Sequence, residues 1–391
     1  MPRRPPAPGD PHGARVVIGV ALVAVLALAG CDSGEGSRTA SPPGTAQATS
    51  TGPGSATSAA TPKPTRSAAP DLGAPEVMAQ GLDVPWGLAF LPGGDVLVGE
   101  RGTGRILRLA LGRGAPRPVF EVPGVAAAGE GGLLGIAVSP GFAEDNLVYA
   151  YYTGEQDNRI VRFRLGAGRP EVIFDGIAKA GFHNGGRIAF GPDGMLYVGT
   201  GDAGDTQRSQ DRSSPNGKIL RLAPDGAPAR GNPIAGSPVY SLGHRNVQGL
   251  AWDSEGRLFA TEFGQNQLDE VNLIEPGRNY GWPLVEGTGD TDGGRFTNPL
   301  LTWPTSEASP SGIAIAGRTA YVAALRGERL WSVPLDGAAT GQPRAELRGR
   351  YGRLRTVVTG PDGSLWLTTS NTDGRGNPRD GDDRILRFPA T

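Results

Sequence analysis

From about residue 85 to its end the chain alternates short runs of β-branched and aromatic residues with Gly, Pro and Asp turns. GRIAFGPDGMLYVGTG (186–201) shows the unit: an apolar doublet, a tight turn and a second apolar run, together a β-hairpin. The phrase recurs in WGLAFLPGGDVLVGERGTGRILRL (86–109), LLGIAVSPGFAEDNLVYAYY (133–152) and QGLAWDSEGRLFATEFG (248–264). It recurs again in SGIAIAGRTAYVAALRGERLWSVPL (311–335) and LRTVVTGPDGSLWLTTS (354–370), and Arg-bearing runs such as GKILRL and DRILRF follow two of the copies. The six hairpins start near Leu88, Ile136, Ile188, Leu250, Ile313 and Val357, about 44 to 63 residues apart, the span of one propeller blade with variable loops. A sheet of about four strands cannot hide both faces alone, so radial stacking of six is expected. The pattern predicts an all-β, six-bladed β-propeller. Two stacked sandwiches are the alternative, disfavoured because one phrase repeats in series.

No long 3.6-residue periodicity appears after residue 70, and Gly 63 with Pro 35 in 391 residues agrees with many turns and few helices. Before the repeats, Arg3, Arg4 and Arg15 precede the apolar run 16–29, which ends in Leu-Ala-Gly-Cys at 28–31. That run suits a signal h-region rather than a membrane span. Cys31 is the only cysteine, and small residues ahead of it resemble a bacterial lipobox, so residues 1–30 are expected to be a lipoprotein signal peptide and Cys31 the lipidated residue. The protein would then be exported and held by lipid on the outer face of the cytoplasmic membrane. Residues 31–70 are rich in Ser, Thr, Pro, Ala and Gly and read as a tether, leaving 71–391 as the folded domain. The formal charge is −1, and losing Arg3, Arg4, Arg15 and Asp10 leaves 35 basic against 38 acidic residues, with no nucleic-acid surface indicated.

Loops joining the blades gather at one mouth, so the longest insertions, 201–247 and 263–302, and the residues entering each hairpin carry the candidate chemistry. His183 precedes the third hairpin, and His244, Arg245 and Asn246 precede the fourth. Equivalent entries should bring these groups face to face, although a lone histidine often serves structure alone. The segment 261–287 offers backbone carbonyls at a Gly-rich corner with Asp269 and Glu270, and Asp290 follows. Such hard oxygens suit Ca²⁺, and equally suit solvated loops. Arg326, Arg353 and Arg355 stand at the last two hairpins, a guanidinium cluster fit for a polyanion or for the solvated rim.

GEGGLLGIAVSP (129–140), GFHNGGRIAFGPDG (181–194), SLGHRNVQG (241–249), DEVNLIEPGRNYGWP (269–283) and ALRG (324–327), in this order, resemble the PQQ-dependent soluble aldose dehydrogenases of the glucose/sorbosone dehydrogenase family. The resemblance runs from about residue 76 to the C-terminus. It implies oxidation of an aldose to its lactone, with His183 as general base toward the anomeric hydroxyl in a hydride transfer to PQQ. Arg245 and Asn246 would contact the cofactor, and so would Glu130, Arg326, Arg353 and Arg355. Gly264 and Gln265 would give main-chain oxygens to a cofactor-bound Ca²⁺, while Glu270, Tyr280 and Asp290 match a second, structural Ca²⁺ site. The glucose-oxidising branch carries Asp where this chain has Phe182, Gln at Glu130, Pro at Gln265 and Lys at Arg326. Those departures favour broad aldose use; the expected partners are an aldose substrate and an unknown electron acceptor, with the protein a monomer or homodimer. A Ca²⁺-dependent lactonase-like propeller and a non-catalytic, lipid-tethered binder are the competing readings; the arginine cluster argues against the first.

Overall fold

The computed structural model describes residues 69–391 except 113 and 338. The signal segment, Cys31 and nearly all of the tether lie outside the described residues. Among the described residues the strands form six antiparallel sheets, arranged as the blades of the expected β-propeller. Each hairpin start named above lies on the innermost strand of its blade. These strands are Pro85–Phe90, Leu133–Val138, Ile188–Phe190, Val247–Trp252, Pro310–Ala316 and Leu354–Thr359. Register confirms the equivalence: Leu88 pairs with Val98, Ile188 with Val198, Leu250 with Ala260 and Val357 with Leu367.

The sixth blade closes the ring with a strand from the other end of the chain. Its outermost strand is Glu76–Ala79, paired antiparallel with Ile385–Phe388 through Glu76 opposite Arg387. Pro70 also bridges Ala390, and Thr391 donates its N–H to the Ala69 carbonyl. Sequence periodicity missed this clasp, because a four-residue strand carries no repeat.

Apolar side chains on both faces of each sheet are buried between neighbours, which is why second strands such as Val96–Glu100 and Leu258–Glu262 have no polar face turned to water. Aromatic pairs cross five of the six blade junctions. Phe90–Trp366 joins blades one and six, Phe120–Phe163 one and two, Tyr149–Phe190 two and three, Tyr197–Trp252 three and four, and Trp303–Trp331 four and five. Each fully buried ring contributes about 1.5–3 kcal/mol of burial energy. The fifth-to-sixth junction is filled instead by Ala323, Leu330, Leu354 and Leu367.

The innermost strands approach one another closely. At the position before the apolar doublet, four blades carry glycine, Gly87, Gly135, Gly249 and Gly312, and a Cβ there would lie 2.7, 2.2, 2.2 and 2.6 Å from its nearest neighbouring atom. The third and sixth blades carry Arg187 and Thr356 instead. These two exceptions meet: Arg187 Nη2 donates to Thr356 Oγ1 (3.0 Å), Nε donates to the Gln248 carbonyl (2.7 Å), and the guanidinium lies 4.2 Å from the Trp86 ring centroid. Arg187 thus spans the central channel and lines a cavity of about 270 Å³ there.

Candidate active site

At the end of the channel where the innermost strands begin, a cavity of about 380 Å³ is lined by Arg101, Arg326, Arg353, Arg355 and Arg375, with Glu130, Asp373 and Gln248 among the other walls. Five guanidinium groups against two carboxylates leave three positive charges uncompensated. The sequence-predicted Glu130, Arg326, Arg353 and Arg355 therefore share one wall system. Asp373 organises the arginine pair: its Oδ2 accepts from Arg353 Nη2 (2.9 Å) and Arg355 Nη2 (3.2 Å). Burial would raise that carboxyl, but Arg355 and Arg353 outweigh it and hold Asp373 below the ordinary range. Burial, together with Arg101, pushes Arg355 down to about 9. Charge crowded this way is relieved by a bound anion.

His183 stands behind this wall, on a turn whose backbone is unusual. Its φ is +57°, a left-handed conformation uncommon for a residue with a side chain. Three contacts fix it. Its N–H donates to Glu130 Oε2 (3.0 Å), its carbonyl accepts from the Ala203 N–H (3.1 Å), and its Nδ1 lies 2.7 Å from Asp202 Oδ1. Close approach of the chain at 201 helps, because a Cβ on Gly201 would lie 1.9 Å from the His183 carbonyl oxygen. Asp202 is fully buried and also accepts from Trp282 Nε1 (2.9 Å) and the Gly204 N–H (2.8 Å). Burial pulls its carboxyl upward, yet His183, Gly204 and Trp282 prevail and keep it below the usual range. An ionised Asp202 accepts the hydrogen bond of Nδ1–H, which keeps the ring proton on Nδ1 and leaves Nε2 as the free acceptor.

Arg245 and Asn246 adjoin this pair. The Asp202 N–H donates to the Arg245 carbonyl, and the Arg245 guanidinium sits 5.5 Å from the Trp282 ring centroid and donates to the carbonyl of Phe263, a cavity-lining residue. Asn246 Oδ1 accepts from the Gly185 N–H (2.9 Å). Arg245 Nε and Asn246 Nδ2 are buried with no protein partner, two donors left for a ligand. His183, Arg245, Arg353 and Glu130 thus belong to one mouth, joined by Glu130, whose other oxygen is 2.6 Å from Arg375 Nη1.

His244 does not face His183 across the mouth. It is wholly buried between Glu262 Oε2 (2.6 Å from Nδ1) and Ser241 Oγ (2.8 Å from Nε2), its ring stacked on Tyr280, and burial holds its imidazole down to about 3. Arg245, at the bend that follows, sends its guanidinium elsewhere, to the Phe263 carbonyl. His244 is structural.

The metal expectations divide. At the Gly264–Gln265 corner, Glu286 Oε1 gathers the N–H groups of Gln265, Asn266 and Gln267 (2.7, 3.0 and 3.0 Å), and Asp269 Oδ1 takes that of Gly264. Among the described residues the carbonyl oxygens of Gly264 and Gln265 accept no hydrogen bond, so they remain available to a hard cation. The side chains of the second set are not brought together. Glu270 is buried beside Glu262, bonded to the Gly287 N–H and Asn272. The Tyr280 hydroxyl donates to the Leu273 carbonyl and accepts from the Glu275 N–H, while Asp290 is exposed and accepts from the Asp292 N–H. Among the described residues no three His, Cys, Asp or Glu side chains form a metal cluster.

The glucose/sorbosone dehydrogenase family model matches residues 82–386. The chain belongs to this family. It is an oxidoreductase of the sugar dehydrogenase type, and the match takes in the propeller except the strand Glu76–Ala79 and the last residues of Ile385–Phe388. It is similar to the PQQ-bound aldose sugar dehydrogenase of Streptomyces coelicolor, 57% identical, with a TM-score of 0.77 over 82% of this chain and 99% of that one. The aldose sugar dehydrogenase of Escherichia coli is 30% identical over 78% of this chain and 92% of its own length. Quinoprotein glucose dehydrogenase B of Acinetobacter calcoaceticus is 33% identical over 57% of this chain and 55% of its own. Within this sugar dehydrogenase, sequence reasoning missed Asp202, Asp373, Arg101, Arg375 and Trp282. Asp202 was the most legible, lying in the GTGDAGD that ends the His183 hairpin. Asp373 and Arg375 sit in a blade-six loop with no repeat signal.

Proposed function

We propose that this enzyme oxidises aldoses at the anomeric carbon to lactones with PQQ as cofactor and Ca²⁺ beside it. The observation carrying the reading is the five-arginine cavity next to the His183–Asp202 pair: three uncompensated positive charges match a tricarboxylate. Arg353, Arg355, Arg101, Arg326 and Arg375 would hold those carboxylates, and the partnerless Nε of Arg245 and Nδ2 of Asn246 would donate to ligand oxygens. PQQ, when bound, supplies a quinone that accepts hydride. His183 Nε2 takes the anomeric hydroxyl proton, and Asp202 holds the ring in the required tautomer and stabilises the imidazolium that forms. Arg245 favours negative charge growing near its guanidinium. The Gly264 and Gln265 carbonyls would serve as Ca²⁺ ligands.

Reconstitution tests the reading. Purified protein titrated with PQQ and Ca²⁺ should develop quinone absorbance and reduce a dye with several aldoses, and His183→Ala should keep the absorbance and lose dye reduction. Turnover without any quinone would refute it. Export and lipidation at Cys31 are proposed on the Leu-Ala-Gly-Cys sequence alone, and Cys31→Ala should release the protein from the membrane fraction.

A further inference from the structure

We infer that Phe182 is a specificity-determining residue: an aromatic platform on which the ring C–H bonds of an aldopyranose stack while its anomeric hydroxyl meets His183. The inference rests on the proposed sugar oxidation and goes beyond it by naming how the sugar is recognised. Phe182 is 47% exposed, although it sits in an otherwise tightly fixed turn. The residue before it is pinned, because the Gly181 carbonyl accepts from the Glu130 N–H (2.9 Å). The residue after it is pinned by Glu130 and Asp202 as described. The ring itself is held upright, edge to face with the His183 imidazole at 4.6 Å between centroids and 79° between planes. Its Cε2 and Cζ rest over Gly204, where a Cβ would come within 3.2 Å of them. A large apolar ring is therefore immobilised beside the base and left open to water.

The other large apolar side chains exposed among the described residues, Val77, Leu111, Val172 and Leu284, are aliphatic. Phe182 alone among them is aromatic, and it lies beside the candidate base. The His183 side chain is only 14% exposed, so a sugar reaching Nε2 comes in alongside this ring. Pyranose rings with equatorial hydroxyls present a patch of axial C–H bonds, an apolar face that packs well on an aromatic ring. A platform of this kind reads ring shape and leaves hydroxyl configuration largely unread, so the enzyme should accept several aldopyranoses with similar KM.

Steady-state kinetics of the PQQ- and Ca²⁺-loaded enzyme with glucose, galactose and xylose test this. Phe182→Ala should raise KM for all three by about 3- to 10-fold, the scale of one lost aromatic contact, with kcat within about two-fold. Phe182→Trp should restore KM, and Val172→Ser, at a distant exposed strand, should change neither constant. Unchanged KM in Phe182→Ala, or a fall in kcat at constant KM, would overturn the platform and leave the sugar oxidation standing. A wild-type enzyme that binds PQQ but turns over no aldose would instead overturn the oxidation, and this inference with it.

Discussion

Replacing Asp202 by Asn is the sharpest probe of the site, because it removes one charge and almost no volume. The carboxylate accepts three hydrogen bonds, from His183 Nδ1, the Gly204 N–H and Trp282 Nε1. An amide cannot replace it in either orientation. With its oxygen toward His183 and Gly204, its NH₂ meets the Trp282 N–H. Reversed, its NH₂ faces the Gly204 N–H and His183 Nδ1, forcing the imidazole proton onto Nε2 and abolishing the base. The first arrangement also loses the charge that stabilises the imidazolium, a charge-assisted hydrogen bond worth about 1.5–3 kcal/mol. That range corresponds to a fall in kcat/KM of about 10- to 150-fold, and the tautomer penalty adds to it. The expected loss is about 100-fold or more, with PQQ affinity nearly unchanged because Asp202 is not among the cavity walls. Dye-coupled kinetics beside an absorbance titration of PQQ would measure both quantities. Asp202→Asn activity within about three-fold of wild type, in protein of unaltered melting temperature, would refute the assignment of His183 as the base.

Arg355→Met should weaken PQQ binding by about 10- to 150-fold, the value of one charge-assisted contact, read as the midpoint of a quinone absorbance titration. Gly87→Ala should lower the melting temperature by several degrees, since its Cβ would stand 2.7 Å from the Leu134 carbonyl oxygen and 2.8 Å from the Ile136 nitrogen, backbone atoms that cannot step aside cheaply. Lys218 is fully buried with Nζ on the carbonyls of Arg208, Ser209 and Asn216, and burial brings its ammonium down to about 7. Between about pH 7 and the ordinary lysine value the unfolded chain therefore binds more protons, so stability should rise with pH there by up to about 1.4 kcal/mol per pH unit. Denaturation midpoints across that window should show the slope, and Lys218→Met should flatten it.

The blades were legible because each innermost strand repeats the same demand. The glycines at 87, 135, 249 and 312 mark where the next blade's backbone comes within reach. The two residues of the apolar doublet that follows point to opposite faces, Ile136 and Ala137 or Leu250 and Ala251 each entering different inter-blade cores. Arg187 and Thr356 break that pattern, and nothing local says why. Their partnership spans 169 positions and exists only once the ring has closed. The arginine cavity was legible in part, because Arg353 and Arg355 stand two apart where the last innermost strand begins, and both reach Asp373. Asp373, which ties them together, sits on a loop without periodicity. His244 was misplaced for a related reason: it precedes the fourth hairpin as His183 precedes the third, but counted back from Leu250 and Ile188 the register partner of His183 is Arg245. The Asp290 expectation rested on resemblance alone, and its side chain turns to solvent. Phe182 was visible as a departure from the family pattern, while its exposure and its contact with His183 needed coordinates.

The strand at 76–79 is among the earliest parts of the domain to leave the ribosome, and its partner at 385–388 is nearly the last. The ring of blades therefore cannot lock until residues 385–388 have been synthesised. Because the Thr391 amide touches the Ala69 carbonyl, residues 69 and 391 lie side by side at the rim of a single blade. An artificial peptide joining 391 to 69 should need only a few residues, so that an inter-blade turn away from the arginine cavity could be opened as a new pair of ends.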